Sequence, residues 1–144
     1  MALPESKIPD EHLRIWGEVH TAQSVALNAA NDGVITSNVD AVARSSLQAA
    51  GYAQYFTHRL GHGEFRLHTN IVADKGLGIG LEGHEQPYLR GGADDVILTG
   101  HTFSDEPGVY IEGKVSVDYD DIQGFTNCIR PLGWRAARRL FLYR

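Results

Sequence analysis

From residue 10 onward the apolar positions fall at helical spacing. Leu13, Trp16, His20, Gln23 and Leu27 recur every three or four residues, and Val19 and Ala26 widen the same stripe. That period predicts an amphipathic helix over 10–30. Asp10 is its expected N-cap, with Glu11 adding negative charge where the helix dipole favours it. Asn31-Asp32-Gly33 should end it, because glycine enters the left-handed conformation freely. A second helix is expected over 38–50. Ser37 and Asp40 approximate a capping box, Val39, Val42, Ser46 and Leu47 form the inner face, and Gly51 supplies the stop. Past Gly51 the pattern changes: Tyr52–Phe56, Val96–Leu98, Val109–Ile111 and Val115–Tyr119 are short apolar runs between glycine-rich turns, which predicts strands. Two helices followed by strands make an α+β fold.

Composition narrows this picture only slightly. The 144 residues suffice for one domain with a real core, and 42% hydrophobic with 22% charged residues is ordinary for a soluble globular protein. A formal charge of −5 argues against nucleic acid as the partner of the whole chain. The basic residues are nevertheless uneven. Arg130, Arg135, Arg138, Arg139 and Arg144 crowd the last 15 residues, where no acid occurs. With Trp134, Leu140, Phe141 and Tyr143 among them, residues 134–143 could form a basic amphipathic helix for an acidic membrane surface or a partner. Cys128 is the single cysteine, so no intrachain disulfide framework exists and a reducing, cytoplasmic setting is expected. No apolar run is long enough to span a bilayer, and no signal peptide is visible.

The candidate chemistry lies in the histidines. His58, His62, His68 and His84 fall within 27 residues, and a Glu106-Pro107-Gly108 turn follows. Histidine and carboxylate clusters of this kind hold transition metals, although the spacing also suits part-buried histidines satisfied by backbone carbonyls.

The local strings His58-Arg59-Leu60-Gly61-His62-Gly63, Ile79-Gly80-Leu81-Glu82-Gly83-His84-Glu85-Gln86-Pro87 and Glu106-Pro107-Gly108-Val109-Tyr110-Ile111 are more specific. In their order they resemble the C-terminal part of the catalytic domain of the pita-bread metallopeptidases of family M24. That family includes the Xaa-Pro aminopeptidases, prolidases, creatinase and methionine aminopeptidases. The resemblance runs from about Asp10 to Asp121. It implies a partial pita-bread fold, two helices then a mostly antiparallel sheet. It also implies hydrolysis of peptide bonds next to proline, with a peptide substrate and often a homodimer. Within that resemblance His62 takes the place of a metal ligand, and Glu106 that of a bridging ligand and proton acceptor. Asp120 stands at the final ligand position, and His84 and His58 sit where substrate-facing imidazoles are expected. The implied cofactor is a pair of divalent cations, manganese first and cobalt or zinc as alternatives, that acidify a shared water.

Four departures qualify that expectation. The hairpin that carries two aspartate ligands in the family has no counterpart, and Asp10, Asp32 and Asp40 are expected in helix caps and a turn. Asp120 replaces a glutamate, one methylene longer, and Asp118 replaces a basic residue. Residues 64–78 insert 15 positions, so His62 and His84 stand 22 apart instead of seven. The junctions Gly63-Glu64-Phe65 and Leu77-Gly78 permit splice-site codons, which suggests a retained intron read in frame. From residue 122 to 144 the resemblance gives way to the divergent basic tail. The expectation is a domain over 1–121, interrupted at 64–78 and impaired as a peptidase. The alternatives are a truncated or mis-spliced non-catalytic remnant, or a binding module that uses the tail.

Overall fold

The computed structural model describes residues 8–63, 84–99, 101–118 and 121–124. The inserted stretch from Glu64 to Gly78, Asp120, Cys128 and the basic tail lie outside the described residues, as do the expectations attached to them.

Helix α1 (Asp10–Ala29) and helix α2 (Thr36–Ala49) pack on each other and lie against the strands. A 3-10 turn (Ala53–Tyr55) leads into β1 (Gly61–Gly63), followed by β2 (Glu85–Leu89), β3 (Thr102–Asp105), β4 (Gly108–Ile111), β5 (Val115–Asp118) and β6 (Asp121–Gly124). One sheet has the order β2-β1-β3-β6, and β4 with β5 forms a second pair; every pairing is antiparallel. The α+β expectation therefore holds. β6 crosses the expected domain boundary at 121, since Asp121–Gly124 pairs along the whole of β3.

The helices form close to where their period places them, but they turn a different edge inward. Ile15, Val19, Ala22, Gln23 and Ala26 are the buried residues of α1, whereas Leu13 and Leu27 remain 49% and 39% exposed. The apolar arc is wide enough to offer two faces, and the sheet takes the one with alanines because small side chains let the elements approach closely. Each fully buried Ile, Val or Leu there contributes about 1.5–3 kcal/mol. In α2 the inner face is Thr36, Val39, Asp40, Ala43 and Leu47, with Val42 turned to solvent.

Both proposed caps are corrected. Asp10 is the first helical residue, after Pro9 at the N-cap. α2 begins at Thr36, with Ile35 at its N-cap and no side-chain cap; the Thr36 N–H donates instead to Asp95 O at 2.9 Å. The glycine stops stand as expected, Gly33 and Gly51 both at φ +84°.

Two expected strands are not strands. Val96–Leu98 contributes a single bridge, Ile35 to Val96, flanked by Ile97 N–H to Val34 O at 2.8 Å. Tyr52–Phe56 coils into the 3-10 turn. Arg44 donates to the carbonyls of Phe56 and His58 at 3.0 and 2.6 Å. Asp40 is likewise no cap. It lies buried inside α2, holds Arg44 through two N–H···O contacts of 2.7 and 3.1 Å, and accepts the Leu60 N–H at 3.1 Å. This clamp ties α2 to the segment that enters β1.

Candidate metal centre and its surroundings

β1 is the sequence Gly61-His62-Gly63, threaded between β2 and β3. Its glycines are required by space rather than by torsion. A Cβ on Gly61 would land on the Ser104 carbonyl oxygen, and one on Gly63 would meet the Gln86 carbonyl oxygen at 2.7 Å. With no side chain at either flank the neighbouring strands close in, and His62 is buried at the centre. A register irregularity falls between His62 and Gly63, a local bulge of the kind that re-aims a side chain.

Ser104 on β3 then fixes His62. The His62 N–H donates to Ser104 Oγ at 3.0 Å, and that hydroxyl lies 3.4 Å from His62 O. The ring is fixed separately. Nδ1 stands 3.1 Å from Gly63 O, which orients the ring. Nε2 points the other way, to Glu106 Oε1 at 3.0 Å. Glu106 follows β3, and its own N–H donates to Leu60 O at 2.8 Å, which places its carboxylate beside the end of β1. The exposed His84 completes the group, its ring edge-on to that of His62 with centroids 4.6 Å apart. His62 thus meets two residues far from it in the chain, Glu106 at its Nε2 and His84 against its ring.

His58 sits apart from that group. Its Nδ1 is 2.6 Å from Arg59 O and its Nε2 2.8 Å from the Tyr110 hydroxyl. The carbonyl can only accept, so Nδ1 donates to it, and the Tyr110 hydroxyl occupies the other ring nitrogen. Phe56 packs edge-on against the same ring at 5.2 Å. Gly108 makes room for Tyr110, whose hydroxyl would lie 2.5 Å from a Cβ there. Asp120, the remaining expected ligand, lies outside the described residues.

Ser104, Tyr110 and the Asp40–Arg44 pair were not anticipated as parts of this region. Signals existed for each. Ser104 lies two residues before Glu106 on a strand, Tyr110 belongs to the Glu-Pro-Gly-Val-Tyr-Ile string, and Asp40 with Arg44 has the i, i+4 spacing of a helical ion pair.

A divalent metal can be tested against these donors. A histidine whose Nδ1–H is held by a backbone carbonyl presents Nε2 as a ligand, the arrangement common around protein-bound metals. Glu106 supplies an oxygen on the same side. His62 and Glu106 therefore fit one edge of a metal centre. Among the described residues no group of three or more His, Cys, Asp or Glu donors converges. A two-cation cluster needs more carboxylates than these residues provide.

The chain belongs to metallopeptidase family M24, whose profile matches residues 4–127. It is 41% identical over 114 residues to an Xaa-Pro dipeptidase of Lactobacillus delbrueckii subsp. lactis, covering 78% of this chain and 27% of that enzyme. The solved dipeptidase PepE from Mycobacterium ulcerans superposes with a TM-score of 0.70 at 34% identity, covering 84% of this chain and 29% of the other. The prolidase from Pyrococcus furiosus gives a TM-score of 0.70 at 30% identity, covering 87% and 32% respectively. The fold is accordingly the pita-bread α+β fold. The chain spans about a third or less of the length of these relatives.

Proposed function

We propose that this chain carries the histidine-rich part of an Xaa-Pro dipeptidase-type site and is impaired as a peptidase by itself. The observation that supports this reading is that His62 meets Glu106 at one ring nitrogen and the His84 ring at its side, both from separate segments. In it His62 Nε2 and Glu106 are donors to a divalent cation, manganese before cobalt or zinc, with Asp120 as a third donor. A bound cation supplies Lewis-acid polarisation and an acidified water. The residues themselves do the positioning. Gly63 O orients the His62 ring, Ser104 holds its backbone, and Glu106 can accept a proton at Oε1. His84 is the exposed imidazole able to donate to a carbonyl oxygen of a peptide ending in or containing proline, and His58 would face the same peptide. A cytoplasmic setting and self-association into a homodimer belong to the same reading.

Among the described residues two donors, His62 and Glu106, meet, which favours impairment, and with it a non-catalytic role as the second reading. Titration calorimetry with Mn2+ on the full chain, paired with hydrolysis of an Xaa-Pro dipeptide, tests both. Weak binding near one equivalent, lost in His62→Gln, with hydrolysis barely above background, is the expected result. Turnover at rates usual for enzymes, of order 1–1,000 per second, would overturn impairment. No Mn2+ binding at millimolar metal would overturn the metal reading.

A further inference from the structure

Beside the His62 site lies a second concavity of about 610 Å³, lined by Arg44, Thr57, His58, Arg59, Tyr88 and Arg90. We propose that it is a seat for a small oxyanion, a carboxylate or a phosphate, gripped by Arg59 and Arg90, whose guanidinium groups both lie against the Tyr88 ring. The proposal rests on this pocket alone and stands or falls independently of metal binding or peptide hydrolysis.

Three arginines meet here in a chain whose formal charge is −5. Arg44 is already compensated by the buried carboxylate of Asp40, and its N–H groups also serve the carbonyls of Phe56 and His58. It forms the wall. Arg59 and Arg90 are different: among the described residues neither pairs with a carboxylate. Their guanidinium carbons lie 4.9 and 5.7 Å from the centroid of the Tyr88 ring. Attraction to the ring holds both heads in place at modest gain, but it gathers two like charges on one side chain. An oxyanion between them removes that repulsion, and a guanidinium fork matches the geometry of a carboxylate or phosphate. The exposed Thr57 hydroxyl adds a neutral donor at the rim.

Both ring nitrogens of His58 are already engaged, by the Arg59 carbonyl and the Tyr110 hydroxyl, so neither is open to a ligand. The grip is therefore on Arg59 and Arg90. Tyr88 lies against both guanidinium groups and is tied to the neighbouring site by its hydroxyl, 3.4 Å from His84 O. Directly opposite Tyr88 on β1 stands His62, so the platform and the candidate metal histidine share one face of the sheet.

Calorimetric titration of the full chain, at matched ionic strength held with sodium chloride, tests the seat. One arm uses inorganic phosphate and the other N-acetylglycine, so the tighter of the two identifies the source. Both Arg59→Gln and Arg90→Gln are expected to weaken that binding at least tenfold, with the far-ultraviolet dichroism unchanged. Arg90 is exposed, so its variant keeps the test decisive if Arg59→Gln fails to fold. Equal affinity in wild type and Arg90→Gln would overturn the proposal. So would an absence of binding of either anion above the chloride background.

Discussion

α1 and α2 hold together through side chains, whereas β1 holds its place by lacking them. The helices bury Ile15, Val19, Val39 and Leu47 at the centre of the core, and the lone charge on that face, Asp40, is answered by Arg44 and by the Leu60 N–H. β1 is three residues long, and at two of them a single methyl group has nowhere to go. A packed helix face spreads its stability over many contacts, so no one of them is indispensable. A strand that carries the site between two close neighbours depends on space at named positions. The difference explains why His62 can be buried and still reach both a carbonyl and a carboxylate.

That contrast can be broken first at Gly61. Gly61→Ala drives a methyl group into the Ser104 backbone, which cannot rotate away as a side chain could. The expected loss exceeds about 3 kcal/mol, at or above the upper end of overpacking costs. Urea unfolding with wild-type stability would show that β1 does not sit where the glycines place it.

A smaller loss is expected on the helical side. Asp40→Ala strands Arg44 and the Leu60 N–H together. Because the Arg44 side chain is 36% exposed, water recovers part of its solvation, and the cost should be roughly 2–3 kcal/mol rather than the full penalty of a broken buried pair. The same denaturant experiment measures it, and a loss equal to that of Gly61→Ala would erase the distinction between the two regions.

The smallest effect concerns pH. Burial lowers the pKa of His101 below its ordinary 6.5, against opposing pulls from Asp95 and Asp32. The unfolded chain then binds the proton more readily than the folded one. Stability is complete above pH 6.5 and declines as pH falls through the lower folded-state value. His101→Gln should flatten the stability profile below pH 6.5 by a small amount. An unchanged slope in that variant would assign the pH dependence to other groups.

The family was legible in three short strings, and the two helices in their 3.6-residue period. The inward edge of α1 was not, since Leu13 and Leu27 fit the same period as Ile15 and Val19, and only the sheet beneath selects between them. The strands proposed at 52–56 and 96–98 failed for a related reason. Apolar runs announce burial, but whether a run joins a ladder depends on which strand lies alongside it: 52–56 coils into a 3-10 turn, and 96–98 meets Ile35 at a single bridge.

The residue order alone marked His62, His84 and Glu106 as candidates, because their motif strings are specific and appear in sequence. Only the tertiary structure decided their neighbours. It put the His62 ring between Gly63 O and Glu106, tied His58 to Tyr110, and put Arg59 and Arg90 on one aromatic ring. Each of these is a contact between groups whose meeting depends on how strands and turns bring the backbone together. Spacing along a chain carries no information about which hydrogen-bond partner will be nearest once it has folded.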